Sequence, residues 1–401
     1  MSVHHSFTSP LSYVEYLTTG LGHRGSTTEN EAKAAEYVRR MLLNLHVPQI
    51  EVQHFRGAVK VWRPYIVCLL LGLLAAAVYP LAGTPGRLLA TLLSALGLWW
   101  LYREMNFNDN WLRRLLPQAN SQNVVGIVPP RVQTRSRVVV IGHLDSGQTP
   151  LLFSSPWTLP VFVALSMASA FFLGLNAVFY LVATVSGQEL WYDLSWVGTA
   201  VQSVTLLFAV EGELSPYTQG ANDNAAAVGV ALSVAERAVE TPLKYTEVWV
   251  LLSGCEEVGC YGIVHFLKEY AERLKDAHFI NLEGVGSGTL HYSTREGMLK
   301  AYHSDPQLLA IADKVARRRP ELGEKGQALS AGYTETGVIA KSGLRGITLL
   351  ALRANKLFKY LPYWHQRDDT FDKLDEKTVN RVSEFVWEMI YEVDRLQHKE
   401  G

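Results

Sequence analysis

The chain has 401 residues, a formal net charge of −1 and 48% hydrophobic residues. That balance excludes the strongly basic surface of a nucleic-acid binder, and the length is enough for one large domain or two. Three cysteines, Cys68, Cys255 and Cys260, have no disulfide spacing and read as small apolar fillers.

The start, Met1-Ser2-Val3-His4-His5, lacks a basic stretch followed by an apolar core, so no cleaved signal is expected. Thr28 or Asn30 can cap an amphipathic helix over residues 31–45. A strand is predicted at residues 50–55, and then the composition changes. Residues 64–86 contain no Asp, Glu, Lys or Arg, and after Arg87 neither do residues 88–102. A second such pair covers residues 146–188 and 194–210. A membrane span needs roughly 20 mostly apolar residues. Trp62, Tyr65, Trp99, Trp100, Tyr102, Trp157, Trp191, Tyr192 and Trp196 gather at the edges of these runs, as in interfacial belts. The pattern predicts two transmembrane hairpins, residues 61–103 and 151–211. The first is expected to turn at Gly83-Thr84-Pro85-Gly86 and the second near residues 186–193.

Outside the hairpins, apolar β-branched runs predict strands at residues 123–128, 137–143, 246–252 and 346–352, with a further one ending at Glu283. A long closing helix is expected over residues 375–397, and the run from Lys314 to Arg319 reads as a solvated helix end. Residues 1–60, 104–150 and 212–401 together have the size of one α/β domain, so each hairpin reads as an insertion in a loop of that fold. Both ends of each hairpin return to the same side. Lys60, Arg63, Arg103, Arg113 and Arg114 flank that side, which predicts an integral, multi-pass protein whose α/β domain faces the cytoplasm.

Five side chains suited to divalent cations follow one another along the chain: His143, Asp223, Glu257, Glu283 and His365. In open α/β sheets ligands converge beyond the carboxyl ends of the strands, and three of the five directly follow strand-like runs. His143 closes the first such run, and Asp145, two residues on, can hold its far ring nitrogen and fix the tautomer. Asn222, Asp223 and Asn224 precede an alanine- and valine-rich helix reaching about Val239. Each is a good N-cap type, while Asp223 can also share its two carboxylate oxygens between two cations. Residues 248–252 form an apolar strand that leads into Ser253-Gly254-Cys255-Glu256-Glu257-Val258-Gly259. Adjacent residues at a strand end point in different directions, so Glu257 can bind metal while Glu256 acts as general base. Glu283 repeats the arrangement of strand, carboxylate and glycine, and His365 stands shortly before Asp369 and Thr370.

This set resembles the di-zinc aminopeptidases of metallopeptidase family twenty-eight, whose pattern is His-x-Asp, Asp-Asn, Glu-Glu, Asp or Glu, then His followed by Asp-Thr. Every element is present and in order. The resemblance implies a zinc-exopeptidase fold, a mixed and largely parallel central sheet flanked by helices. It implies that Asp223, Glu257 and His365 bind one Zn2+ and that His143, Asp223 and Glu283 bind a second. Glu256 would be the base, with Asp145 beside His143. Glu283 stands where Asp is commoner in the family, and Tyr333 and Glu335 occupy the place of another loop near the site. The expected partners are a peptide with a free amino terminus and the lipid bilayer, with no nucleic acid; composition sets no oligomeric state. The alternatives are a glutaminyl-cyclase-like zinc acyltransferase and a non-catalytic membrane scaffold of the same fold.

Overall fold

The computed structural model describes residues 8–107, 110–323, 326–329 and 332–398, so the Met1–His5 start lies outside the described residues. The helices are α1 (Leu11–Glu15), α2 (Glu29–Asn44), α3 (Trp62–Val78), α4 (Gly83–Glu104), α5 (Trp111–Leu115), α6 (Leu159–Ser186), α7 (Leu190–Leu214), α8 (Ala226–Glu240), α9 (Tyr261–Tyr270), α10 (Pro306–Arg318), α11 (Glu335–Lys341) and α12 (Glu376–Gln397). The strands are β1 (Gln49–Ala58), β2 (Gln118–Val128), β3 (Ser136–His143), β4 (Thr246–Ser253), β5 (His278–Glu283), β6 (Thr289–Glu296), β7 (Tyr302–His303), β8 (Gln327–Leu329), β9 (Arg345–Ala354) and β10 (Lys359–Tyr360).

The strands form one mixed sheet in the order β1-β2-β4-β3-β5-β9-β6-β7, with β10 on β9 and β8 on β6. Its centre, β4-β3-β5-β9, is parallel, and β1-β2 and β6 flank it antiparallel. Parallel strands buried on both faces read as continuous apolar runs. All eight residues of β4 and all six of β5 are buried. Helices α2, α8 and α12 cover one face, packing Val38, Leu42, Val230, Val382 and Phe385 on Val138, Val140 and Val250. Helix α9 covers the other, with Ile263 and Phe266 against Val139, Ile141 and Trp249.

Local chemistry moves several boundaries from those expected. Helix α2 begins two residues earlier, because Thr28 Oγ1 accepts from Glu31 N while Glu31 Oε2 accepts from Thr27 N, a reciprocal cap. Asn222, Asp223 and Asn224 do not cap α8; they form a separate turn, and α8 starts after Ala225 with no side-chain cap. The Arg317–Arg319 segment is not simply solvated. Lys314 and Arg318 pair with Glu392, and Arg318 and Arg319 with Glu388, locking the end of α10 to α12.

The two inserted hairpins are α3–α4 and α6–α7. Each helix packs on two neighbours, α3 on α4, α4 on α6, α6 on α7 and α7 on α3, closing a four-helix bundle. The first hairpin turns at residues 79–82, not at Gly83-Thr84-Pro85-Gly86. Pro85 sits in the first turn of α4, where backbone N–H groups have no helical partner to lose. Helices α6 and α7 are long and apolar enough to cross a membrane; α3 is apolar but only 17 residues long. Outward-facing Leu92, Phe171, Val185, Val197, Leu207 and Leu214 are more than half exposed, whereas Ser94, Asn176, Ser195 and Gln202 are fully buried inside the bundle.

Candidate metal centre

The carboxyl ends of β3, β4 and β5 lie side by side, because β4 and β5 both pair parallel with β3. His143 ends β3, Glu256 and Glu257 follow β4, and Glu283 ends β5. Asp223 comes from the turn before α8, and His365 from a loop residue with φ +53°. These groups converge. His143 Nε2 stands 3.2 Å from Asp223 Oδ1 and 3.7 Å from Glu283 Oε2, and His365 Nε2 stands 2.9 Å from Glu257 Oε2 and 3.6 Å from Asp223 Oδ2. Two triads result, His143–Asp223–Glu283 and Asp223–Glu257–His365, each with donor atoms within 4.8 Å of one another and with Asp223 common to both. Glu256 Oε2 is 4.0 Å from His143 Nε2. A Cβ at Gly147 would lie 2.9 Å from both Glu257 Oε1 and His365 Nε2, so only glycine lets this loop approach the second triad.

Asp145 faces the far ring nitrogen of His143 with two atoms, its main-chain carbonyl 3.0 Å and its carboxylate Oδ1 3.5 Å from Nδ1. The same carboxylate accepts from Ser26 Oγ (2.6 Å), Glu256 N (3.1 Å) and Glu257 N (3.1 Å) and thereby fixes the Glu-Glu turn.

A second layer was only partly visible in local patterns. Asp369 accepts from the backbone N–H of Asn222 (2.7 Å) and Asp223 (3.1 Å), holding the bridging residue's turn. Arg24 is fully buried and donates to the carbonyls of Leu144, Leu17, Gln219 and Gly220, tying the His143 and Asp223 segments together. Glu31 accepts from Cys255 N and Ser121 Oγ, and Cys260 Sγ donates to Glu256 Oε1 at 3.2 Å, so this cysteine is more than a filler. Asp369 stood in the His, Asp-Thr pattern and Glu31 in the Thr28-x-x-Glu31 capping pattern, whereas Arg24 had no local signal. Glu335 is buried and accepts from Ser253 Oγ, and Tyr333 Oη accepts from Leu299 N.

The electrostatics ask for added positive charge. Burial, reinforced by Glu283 and Glu335, pushes the Glu256 carboxyl well above the usual range. Burial, reinforced by Asp223, does the same to Glu283. Burial works against charge on the imidazoles, yet the surrounding carboxylates outweigh it: His143 rises well above its ordinary value and His365 to about 9. Crowded buried carboxylates behave this way when their mutual repulsion is not offset by cations. Among the buried donor atoms, His143 Nε2, Asp223 Oδ1 and Glu257 Oε1 have no hydrogen-bond partner, which is costly unless another ligand takes them up. Imidazole nitrogens and carboxylate oxygens are the donor set of zinc, and the residues present fit it.

This geometry has relatives. Residues 201–390 match peptidase family M28. The match takes in Asp223, Glu256, Glu257, Glu283 and His365, with His143 ahead of it. Solved structures share the fold over nearly all of the chain. A zinc aminopeptidase from Bacillus subtilis is 13% identical, with 96% of this chain and 94% of that chain covered at a TM-score of 0.58. A glutaminyl cyclase from Tannerella forsythia is 14% identical, covering 96% and 97% at 0.55, and a Zn-dependent exopeptidase from Parabacteroides distasonis is 14% identical, covering 96% and 97% at 0.53. At such identities the likeness is one of fold. No curated protein matches the chain.

Proposed function

We propose that this protein is a membrane-anchored, zinc-dependent exopeptidase that removes N-terminal residues from peptides with a free amino terminus. The observation that carries the reading is the pair of donor triads sharing Asp223, with Glu256 beside them. His143, Asp223 and Glu283 would hold one zinc, and Asp223, Glu257 and His365 the other. Bound zinc supplies a Lewis acid that polarises the scissile carbonyl and lowers the pKa of water. Glu256 takes the proton of the attacking water and returns it to the leaving amine. Asp145, through two backbone N–H groups, keeps Glu256 and Glu257 pointing in their separate directions.

Anchoring in a bilayer is supported by the bundle's apolar exterior and by the length of α6 and α7. The basic residues at its catalytic end favour the cytoplasmic side. There Arg63 pairs with Glu213 and Arg113 with Glu104.

Zinc content measured alongside hydrolysis of unblocked and N-acetylated peptides tests the reading. Two zinc ions per chain and release of the first residue from unblocked peptides alone are expected. Release of the same residue from acetylated peptides would exclude an aminopeptidase, and cyclisation of an N-terminal glutamine would identify a glutaminyl cyclase instead.

A further inference from the structure

A cavity of about 1160 Å³, including its part open to solvent, begins at the metal centre and runs into the four-helix bundle. Its mouth is bounded by Gly147, Glu257 and His365. A neighbouring cavity that holds Asp223, Glu256 and Glu283 shares Glu257 and His365 with it, so the two adjoin at the site. The enclosing residues come from all four bundle helices or their ends: Tyr65 and Leu69, Leu101 and Met105, Phe162 to Ser169, Thr205 to Ala209. On α6 the lining face extends from Phe162 to Ser169, seven residues or roughly 10 Å of helix. At the far end Ser169 Oγ donates to Thr205 Oγ1 (2.8 Å) and Thr205 Oγ1 to the Val201 carbonyl (2.9 Å), a closed polar floor.

Two occupants are disfavoured by this lining. The side chain of one amino acid is too short for the depth. A peptide strand would place its N–H and C=O groups among Leu69, Leu101, Phe162 and Leu165, where unpaired backbone groups cost several kcal/mol each. A hydrocarbon chain has no such groups. It would also reach the cavity from an apolar surrounding, since the bundle's exterior is apolar.

We infer that this cavity takes a long linear fatty-acyl chain, and that the same centre hydrolyses N-fatty-acyl amino acids or peptides, with the acyl group standing where an aminoacyl group stands in the peptidase reaction. The inference rests on the hydrolytic reading above. The acyl C–N bond breaks, a bond forms from the water oxygen to the acyl carbon, and Glu256 carries the water's proton to the leaving nitrogen. A fatty acid and a free amine result, with no change of oxidation state.

The test uses the full chain in lipid nanodiscs, loaded with zinc, and a series of N-acyl leucines from acetyl through octanoyl to palmitoyl, beside an unblocked leucine peptide. In the rising part of the series kcat/KM is expected to increase about fourfold per methylene, the factor for burying that group. Filling the far end with Ser169→Trp or, independently, narrowing the wall with Ala209→Phe should lower the palmitoyl-to-butyryl rate ratio about tenfold or more. A second readout is thermal stabilisation of the metal-free protein by free fatty acids, expected to grow with chain length and to shrink in both variants. A flat chain-length series with intact cleavage of the unblocked peptide overturns the inference and leaves the peptidase reading standing. Failure of the zinc-loaded protein on every substrate overturns the hydrolytic reading, and stabilisation independent of chain length overturns the acyl cavity itself.

Discussion

At the rim of the sheet, carboxylates and imidazoles gather above a core of valines and leucines. The bundle does the reverse, turning Leu92, Phe171 and Leu207 outward and keeping Asn176, Gln202 and Ser94 inside. Hydrophobic burial arranges a core only where the outside is water. Where the surroundings are apolar, helices associate through close packing of small residues and interhelical hydrogen bonds. The bundle has both: a Cβ on Gly72 would meet Gln202, one on Gly198 would meet Asn176, and Ser94 Oγ donates to the Leu173 carbonyl. If the bundle is anchored in a bilayer as proposed, one chain follows two solvent rules, and the candidate centre lies where they meet.

The largest expected effect falls on the bridging carboxylate. Asp223→Ala should empty both triads and abolish turnover, read as zinc bound per chain; unchanged stoichiometry would break the bridge. Glu256→Gln should keep zinc bound but slow kcat by roughly 10²–10⁴-fold, the usual contribution of a general base. Full turnover in that variant would remove Glu256 from the role.

The contrast itself is tested by Val204→Arg on the outer face of α7. In a bilayer this change should cost roughly 2.5–3.5 kcal/mol of insertion free energy, read as the fraction of chains resisting alkaline extraction. On a water-facing helix the same change is worth within about 0.5 kcal/mol, so an unaffected fraction would place the bundle in water.

The sheet domain should also carry a pH dependence. Glu296 is buried and accepts from Thr334 N (3.0 Å) and Thr334 Oγ1 (2.8 Å), and burial raises its pKa to about 7. A carboxyl raised in the fold binds its proton more tightly than in the unfolded chain. Its stabilisation is complete below about pH 4.3 and fades as pH rises toward 7, by on the order of 2–3 kcal/mol. Glu296→Gln should flatten Tm across that interval, and an unaltered slope would assign the dependence elsewhere.

Much of this was legible along the chain because its signals are local. Apolar runs ending in His143 and Glu283, and the Glu256–Glu257 pair between glycines, mark strand ends by composition alone. The charge-free stretches marked all four bundle helices, although the first turn was misplaced where Pro85 suits a helix start as well as a loop. The groups that hold the centre were not legible in the same way. Arg24 and Asp369 work through backbone atoms more than 100 residues away, and so does the Asp145 carboxylate on the N–H groups of Glu256 and Glu257. No periodicity records such partners.

The order of donor residues, their placement next to strand ends and the two apolar insertions were determined by the sequence itself, since each depends on neighbours within a few positions. Tertiary structure alone decided that β3 lies between β4 and β5, bringing distant donors to one rim, and that the bundle's cavity opens there. Strand order and crossover paths are set by packing across the whole sheet.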